Sequence, residues 1–391
     1  MNQGVDQPTL ETTPPRARTW VEGLRVQGLR NLGRQEIDFG PGVNLVFGAN
    51  GAGKSSLLEA LHLLATGRSF RLGTQRTDRA IQQGADYLAV HGRLLRSGPG
   101  FSQSVRLGLV CYAHPRRLQA ALNGRPVRAA SELASAFPLS LFNSDSFQLL
   151  ESGPQARRRF LDRGLFHVKP GFLDAWQGYR RALNQRNELL RRGKMSGLSA
   201  WDEQLVRLGT ALDRDRRWWV DRMTPAVSAF ASQFIDLDRL DLRYQSGWPE
   251  TSGLGEALRG GLDADEQRGF TLRGPHRAEL RILVGGRNAL EVLSRGQQKL
   301  LVAALQLARQ RLMQESTGNG GVLLLDDVAA EIDPRHRERL AGALAGLVHT
   351  QVIATAIDPQ ALDPAWFEKA GSPDLNCLHL ERGDVRSGAA G

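Results

Sequence analysis

The stretch GANGAGKSS, residues 48–56, combines residue types at a spacing that could bind phosphate. It matches G-x-x-x-x-G-K-[S/T] and lies between an apolar, strand-like run and a segment with helical periodicity, which is the context that this motif requires. Glycines let the backbone approach an anion without Cβ clashes, and backbone N–H groups at the start of the helix then face it. We therefore predict a site for ATP and Mg²⁺ in which Lys54 reaches the outer phosphates and the Ser55 hydroxyl helps to hold the metal. The residues of this loop are Gly48, Ala49, Asn50, Gly51, Ala52, Gly53, Lys54, Ser55 and Ser56.

A matching acidic strand occurs late in the chain. Four apolar residues, 322–325, end in Asp326 and Asp327. A carboxylate at the C-terminal end of a buried strand beside the glycine loop is where a Mg²⁺ partner belongs. We assign Asp326 to the metal, directly or through water, and Asp327 to orienting or deprotonating the attacking water. The alternative is a pair of helix-capping aspartates, which the four preceding apolar residues argue against.

A second glycine-bearing loop, LSRGQQKLL, covers residues 293–301. Ser294 is a good helix N-cap, and the residues from Gln297 onward have the apolar spacing of an amphipathic helix. A well-capped helix alone would not explain why Gly296 and Gln297 follow the serine. LS-x-G-Q resembles the signature motif of ABC-type ATPases, and it lies about 25 residues before the acidic strand, in the order that this family uses.

The resemblance to ABC-type ATPases implies a dimer with two ATP molecules between the subunits. In that family the signature motif contacts the γ-phosphate held by the partner's glycine loop. The resemblance assigns this role in trans to Ser294, Arg295, Gly296 and Gln297, and it places Asp333, in the sequence AEID, in a D-loop at the same interface. ABC transporters have a histidine in the switch loop, where this sequence has Ala354, Thr355 and Ala356, and usually a glutamate at the position of Asp327. Both departures predict slow hydrolysis and argue against a transporter.

Composition narrows the class of protein. The chain has 391 residues, of which 41% are hydrophobic and 24% charged, as in ordinary globular proteins of two or three packed units. It has no apolar run of about 18 residues that could span a membrane. Residues 1–19 are polar and lack the apolar core of a secretory signal, so we interpret them as a disordered extension. Two cysteines and no export signal indicate reduced thiols and a cytoplasmic location.

Positive charge is concentrated in the first half of the chain. The formal net charge is +10, and residues 151–194 alone hold 11 Lys and Arg against 4 Asp and Glu. This could be a solubilising surface or a face that binds a polyanion in a sequence-independent, salt-sensitive way. Residues 157–159 form a further basic run, in which Arg158 or Arg159 could instead pair with Asp162. The candidate DNA contacts are Arg116, Arg117, Arg180, Arg181, Arg191, Arg192 and Lys194.

The segment between the two motifs predicts a helical insertion. The glycine loop and the acidic strand are about 270 residues apart, and no sustained heptad repeat separates them. Two apolar stripes with helical spacing, one from Phe172 and one from Trp201, predict a short antiparallel arm over 155–235. Ser199 and Asp202 suggest a capping box at its second long helix. We predict an α/β fold: an ABC-ATPase-type head with a mixed sheet built from 20–150 and 270–391, and a second, mainly helical lobe over 151–269.

Taken together, these motifs make the chain similar to the RecF family of DNA replication and repair proteins after residue 20. The resemblance implies a slow, DNA-dependent ATPase that dimerises on duplex DNA and at single-strand/duplex junctions. It also implies work with RecR and RecO in placing RecA on single-strand gaps, in recombinational repair, replication restart and SOS induction. Two other classes stay open: a transporter nucleotide-binding subunit, and a DNA-binding module that hardly hydrolyses its ATP. The segments that carry the resemblance are residues 29–32, 48–71, 157–191, 274–280, 293–301 and 323–333.

Overall fold

The computed structural model describes residues 18–72, 76–194, 196–371 and 374–388. The extension predicted over residues 1–19 lies outside this part of the chain, except for Arg18 and Thr19, which begin the first strand. The strands are β1 (Arg18–Gln27), β2 (Gln35–Asp38), β3 (Val43–Phe47), β4 (Tyr87–Gly98), β5 (Phe101–Tyr112), β6 (Arg117–Leu122), β7 (Arg125–Pro126), β8 (Leu139–Asn143), β9 (Leu240–Gln245), β10 (Glu279–Val284), β11 (Arg287–Asn288), β12 (Val322–Asp326), β13 (Gln351–Ala356), β14 (Leu375–Glu381) and β15 (Asp384–Gly388). The helices are α1 (Lys54–Thr66), α2 (Ala130–Ala136), α3 (Pro154–Val168), α4 (Phe172–Arg191), α5 (Leu198–Phe234), α6 (Leu254–Arg259), α7 (Leu262–Arg268), α8 (Ala289–Val292), α9 (Arg295–Thr317), α10 (Pro334–Ala345) and α11 (Pro364–Lys369).

A mixed sheet with the order β15-β14-β3-β13-β12-β8 positions the candidate site. The strands from β14 to β8 are mutually parallel, and only β15 runs antiparallel to its neighbour. β3 and β8 come from the N-terminal part of the chain, whereas β12 to β15 come from the C-terminal part. The sheet thus combines strands from both ends of the chain, and its mixed character agrees with the predicted α/β fold. Because parallel strands share one carboxyl edge, this pairing brings residues 48 and 326 to the same edge.

Each face of this sheet carries its own hydrophobic core. Val46, Leu324 and Ile353 face a core shared with α1 and with a second, antiparallel sheet of order β2-β1-β4-β5-β6-β7. Their neighbours Leu45 and Leu323 face the opposite core, which contains α9 and α5. Strands buried on both faces have continuous apolar sequences, and residues 322–325 of β12 have this character.

The segment predicted to be a helical lobe contains α3 to α7 and also the strand β9, which pairs with β10 in a small antiparallel sheet. Helices α4 and α5 pack along each other. The two apolar stripes belong to this packing: Phe172, Tyr179 and Leu205 are buried in the core. The capping box predicted from Ser199 and Asp202 was wrong. Helix α5 begins after Gly197, and Asp202 accepts a hydrogen bond from Arg186 on α4 instead.

Helix α9 crosses the larger core, and most of its surface is buried. The sequence predicted one apolar face, but the helix also buries the polar side chains of Gln306, Arg309 and Gln310. Amphipathic spacing identifies only the residues that are apolar, so it understates the burial of a central helix. No helix in the part of the chain that the structure describes is long and apolar enough to cross a membrane.

Candidate functional site

The glycine loop connects β3 to α1 and needs its glycines for two physical reasons. Gly51 and Gly53 have φ angles of 79° and 114°, which other residues adopt only with strain. A Cβ on Gly48 would lie 2.3 Å from the carbonyl oxygen of Leu380, so this position has no room for a side chain. The loop is thus a close-fitting backbone turn at the N-terminus of a helix, which is the arrangement that binds phosphates.

Lys54, the first residue of α1, folds back over the loop. Its side chain is 6% exposed, and its Nζ donates hydrogen bonds to the carbonyl oxygens of Gly48 and Ala49 at 2.7 and 3.2 Å. An ammonium group held against the loop can exchange these carbonyl oxygens for phosphate oxygens with a small movement. The position fits the predicted contact with the outer phosphates of a nucleotide.

Ser55 and Asp326 meet across the carboxyl edge of the sheet. The Ser55 hydroxyl donates to Oδ1 of Asp326 at 2.9 Å, although the two residues are 271 positions apart. Burial raises the pKa of Asp326, while hydrogen bonds from Ser55 and Thr355 act in the opposite direction. One hydroxyl and one carboxylate form an incomplete ligand set, which suits Mg²⁺ because this ion usually takes further oxygens from nucleotide phosphates and water. The residues therefore fit a nucleotide-bound Mg²⁺, which would supply electrostatic stabilisation of phosphate charge.

Thr355 links the two aspartates and was not assigned a role from the sequence. It is 1% exposed on β13, and its Oγ1 accepts the backbone N–H of Asp327 at 2.9 Å. The same hydroxyl lies 3.3 Å from both Oδ1 of Asp326 and the carbonyl oxygen of Leu325, to which it can donate. Asp327 has a φ of 57°, a left-handed conformation that aspartate tolerates better than most residues. The hydroxyl thus holds the backbone turn that orients Asp327.

A polar network behind the loop was also missed by sequence reasoning. Asn31 donates to the carbonyl oxygen of Gly51 at 2.8 Å and accepts from the Ser56 hydroxyl at 3.0 Å. Glu59 is fully buried on α1 and receives two hydrogen bonds from Arg30, at 3.1 and 3.2 Å. Arg30 and Asn31 belong to the short motif LRNL, residues 29–32, which precedes the glycine loop and had a place only in the family resemblance. Their role depends on contacts across some 20 to 30 positions, which a local pattern does not reveal.

The signature-like loop forms a well-capped helix start. Ser294 Oγ accepts the backbone N–H of Gln297 at 3.3 Å, and the Gln297 side chain accepts the N–H of Ser294 at 3.0 Å. This capping box begins α9 at Arg295, two residues earlier than the apolar spacing suggested. Ser294, Arg295 and Gly296 are exposed, and no neighbouring atom lies within 4 Å of a Cβ placed on Gly296. Among the described residues, no hydrogen bond or ion pair joins this loop to residues 48–56 of its own chain.

The predicted D-loop residue Asp333 caps the N-terminus of α10. Its carboxylate accepts the backbone N–H of Arg335 at 3.0 Å and its Nε–H at 3.1 Å. Hydrogen bonding to the Arg335 side chain is the main cause that lowers the pKa of Asp333 to about 2. An ion pair between Lys299 and Glu331, 2.7 Å long, ties the start of α9 to this segment. The signature-like loop and the segment before Asp333 are therefore held together in one subunit.

The candidate DNA contacts fall on two surfaces. Arg116 and Arg117 lie at the start of β6 in the antiparallel sheet, where Arg116 pairs with Asp78 at 3.1 Å. The other five lie on or just after α4. Among these, Arg180 stacks on Trp176 at 4.8 Å. Arg191 and Arg192 both pair with Glu188, whereas Arg181 and Lys194 form no ion pair with any described residue. The basic charge of α4 is thus partly neutralised by its own helix.

Two of the three arginines in the basic run 157–159, Arg157 and Arg158, bind other parts of the protein, whereas Arg159 forms no ion pair with any described residue. Arg157 makes a bidentate ion pair with Glu279, with both distances 2.8 Å, and Arg158 donates to the carbonyl oxygen of Ala278 at 2.7 Å. Asp162 was expected to pair with Arg158 or Arg159, but it forms an ion pair with neither, and Arg216 on α5 donates to both of its oxygens. A pairing rule based on helical spacing could not anticipate a partner 54 positions away.

Comparison with known proteins identifies the family. The model described as "RecF/RecN/SMC N terminal domain" matches residues 20–370. A protein of Chromohalobacter salexigens named DNA replication and repair protein RecF is 44% identical over 366 residues, which cover 93% of this chain and 98% of that protein. The protein of the same name from Azotobacter vinelandii is 39% identical, with 93% and 97% covered. The chain belongs to the RecF family.

Solved structures agree with this assignment. The recombination mediator protein RecF-ATPrS in the RecFOR pathway is 25% identical and superposes with a TM-score of 0.80 over 96% of this chain and all of that chain. RecF-ATP in the same pathway is 26% identical and superposes with a TM-score of 0.79 over 95% of this chain and 98% of that chain. An SMC head bound to the C-terminal winged-helix domain of ScpA is 17% identical with a TM-score of 0.59, over 95% and 98%, which shows a shared fold alone. The α/β fold is thus that of RecF and SMC ATPase heads.

Proposed function

We propose that the protein is an ATP-dependent DNA repair protein that acts on gapped and duplex DNA. The observation that carries the proposal is the Ser55–Asp326 hydrogen bond beside the glycine loop, because it joins two halves of a Mg²⁺–nucleotide site that lie 271 residues apart. Relatives named DNA replication and repair protein RecF support the DNA-repair part. The structures of RecF with ATP or with ATPrS support the choice of nucleotide.

ATP joins two subunits in this proposal. The exposed signature-like loop, Ser294 to Gln297, contacts the γ-phosphate held by the partner's glycine loop, with the partly positive N-terminus of α9 facing the anion. Asp333 lies at the same interface. Hydrolysis is slow and DNA-dependent, with Asp326 holding Mg²⁺ and Asp327 acting on the attacking water. Loss of the γ-phosphate then loosens the dimer, so ATP acts as a switch.

Phosphate contacts provide most of the DNA affinity. The exposed arginines on β6 and α4 would neutralise backbone charges without reading bases, so binding is salt-sensitive and independent of sequence. The DNA-bound dimer works with RecR and RecO to place RecA at single-strand gaps. The similar RecF proteins of known structure are recombination mediators in the RecFOR pathway, which supports this part of the proposal.

Fluorescence anisotropy on gapped DNA, with and without ATP, run beside analytical sedimentation, tests the proposal. Lys54→Met removes the ammonium group that faces the phosphates, and Ser294→Arg places a bulky cation in the trans loop. Ser199→Arg is the matched control, because Ser199 is also an exposed serine at the start of a long helix. We expect ATP to drive dimerisation and tighter DNA binding in the wild type and in Ser199→Arg, and in neither of the other variants.

Two results would contradict parts of the proposal. If Ser294→Arg dimerises and binds DNA as the wild type does, the signature-like loop is only a capped helix start and the two-ATP interface is wrong. If ATP tightens DNA binding but DNA never stimulates turnover, the protein is a nucleotide-dependent binding module and its assignment as a DNA-dependent ATPase fails.

A further inference from the structure

Helices α3 and α9 bring together basic side chains that have no assigned role. Arg159, Arg163 and His167 follow one another at intervals of four residues and therefore share one face of α3. Helix α3 packs against α9, which carries Arg309. We name Arg159, Arg163, His167 and Arg309 the α3–α9 arginine cluster.

Arg309 is the unusual member of this cluster. Its residue is only 6% exposed, and its guanidinium carbon lies 5.3 Å from the ring centroid of Phe160. It makes no hydrogen bond or ion pair with any residue that the structure describes. A guanidinium group has five N–H donors, and those of Arg309 are not among the fully enclosed polar atoms without a partner, so they face a space that solvent can reach.

Two other buried arginines of the chain, Arg186 and Arg216, form ion pairs with carboxylates. Arg186 is fully buried and pairs with both Asp202 and Asp265 at 2.6 Å. Arg216, 3% exposed, makes two hydrogen bonds to Asp162. The fold therefore supplies carboxylates to the arginines that it buries for structural purposes. The cluster is an exception, because no carboxylate forms an ion pair with Arg159, Arg163 or Arg309 among the described residues.

The charges within the cluster act on one another. Burial, and then the charge of Arg163, lower the pKa of Arg309 to about 9. Burial, and then the charge of Arg309, lower the pKa of His167 to about 4. His167 is therefore uncharged near neutral pH, and Arg163 and Arg309 are like charges that form no ion pair with any described residue. An anion placed among them would remove this repulsion.

The cluster is also accessible from outside. The side chains of Arg159 and Arg163 are exposed to solvent. Arg163 nevertheless has enough protein around it for burial, together with the charge of Arg159, to lower its pKa. Arg309 stacks on Phe160, which lies between Arg159 and Arg163 on α3, so the buried guanidinium of Arg309 is next to the part of α3 that carries the two exposed arginines.

We propose that the α3–α9 arginine cluster binds a phosphate group, and that this phosphate belongs to the backbone of bound DNA. The inference rests on the proposed DNA-binding function. It adds one specific DNA contact, located where α3 packs against α9. Arginine suits this role because its planar donor fork matches phosphate oxygens. The contact carries no base information, so it contributes equally to all sequences.

Two variants and one control test the cluster in the full-length protein. Arg309→Met keeps much of the apolar stem and removes the charge, and Arg163→Ala removes an exposed side chain that forms no ion pair with any described residue. Arg311→Met is the control, because Arg311 lies on the same helix but is exposed and paired with Glu315 at 2.8 Å. One arm measures thermal unfolding with and without inorganic phosphate, and the other measures affinity for duplex DNA over a range of salt concentrations.

We expect Arg309→Met to raise the unfolding temperature without ligand, because it removes an uncompensated buried charge. It should also lose the extra stabilisation by phosphate. Both cluster variants should bind DNA roughly tenfold more weakly, with the slope of log K against log salt reduced by about 1. For an anion site, Arg309→Met raises the unfolding temperature and weakens DNA binding. For an arginine with a structural role, the unfolding temperature and the DNA affinity would both fall.

Equal phosphate stabilisation and equal salt slopes in the wild type and both cluster variants would overturn the proposal. If Arg309 is needed for the phosphate effect but not for DNA affinity, the site takes free phosphate and the assignment to DNA is wrong. If the wild type binds no DNA at all, the proposed function fails, and the phosphate arm alone decides whether the cluster is an anion site.

Discussion

Replacing Thr355 by valine tests whether one hydroxyl organises the carboxyl edge of the sheet, where Asp326 and Asp327 lie. Thr355 is 1% exposed, and valine has nearly the same shape, so the change removes hydrogen bonding with little change in packing. The Asp327 backbone N–H loses its acceptor at 2.9 Å, and Asp326 loses a donor at 3.3 Å. A half-buried N–H left without a partner costs about 1–3 kcal/mol. Asp326 keeps its hydrogen bond from Ser55, so we assign it no further loss.

The free energy of unfolding from urea titration should therefore fall by about 1–3 kcal/mol in Thr355→Val. The turn that orients Asp327 should loosen, and DNA-stimulated ATP turnover should fall at least tenfold, on the order of the loss expected for one mispositioned catalytic group. ATP affinity should stay near that of the wild type, because Lys54 and the glycine loop are unchanged. The two effects together locate the defect at the acidic strand.

Thr355→Ser is the matched control, because it keeps the hydroxyl and deletes one buried methyl group, at a cost of about 1 kcal/mol. Its turnover should stay close to that of the wild type even if its stability falls as far as that of Thr355→Val. The reasoning is refuted if the serine and valine variants lose turnover equally, or if Thr355→Val keeps both the stability and the turnover of the wild type.

Two further predictions concern the helical segment and three half-buried histidines. Arg186→Met should lower the free energy of unfolding by about 3–5 kcal/mol, because it leaves Asp265 buried without its ion pair. Arg192 is exposed, so Arg192→Met should lower the free energy of unfolding by less than about 1 kcal/mol. Similar losses in urea titrations of the two variants would contradict this prediction. Burial lowers the pKa of His62, His167 and His276 to about 4, so the unfolded chain binds more protons than the folded one between about pH 4 and pH 6.5, and stability should fall as the pH is lowered through that window. The slope should be at most about 1.4 kcal/mol per pH unit for each histidine, and a flat pH profile, or an equally steep one in His276→Gln, would contradict the assignment.

The sequence was sufficient to predict the strand, glycine loop and helix around residue 48 and the strand that ends in Asp326, because each depends on short-range chemistry. A glycine loop between a strand and a helix has few other uses, and four apolar residues before two aspartates specify a buried strand with a polar end. The mixed sheet followed from the requirement that both motifs reach one edge. The capping box at Ser294 was partly visible as well, since Ser294 and Gln297 have the spacing that reciprocal capping needs.

Sequence reasoning failed where a partner lies far along the chain. The spacing of Ser199 and Asp202 suggested a helix cap, but the Asp202 carboxylate accepts a hydrogen bond from Arg186 on the preceding helix. Asp162 suggested a partner within its own basic run, but it pairs with Arg216. Ion pairs depend on which side chains packing brings within a few ångströms, and helical spacing alone does not contain that information.

By itself, the sequence determined the family, the glycine loop, the acidic strand and the helical character of the insertion, because local patterns encode these features. Only the tertiary structure decided which polar groups meet: the hydroxyl of Ser55 with Asp326, the hydroxyl of Thr355 with both aspartates, and Glu59 with Arg30. It also decided which arginine is buried without a carboxylate, although Arg309 has the same chemistry as every other arginine in the chain. The physical reason is that a charge has no cost until packing removes its water, and packing joins segments that are hundreds of residues apart.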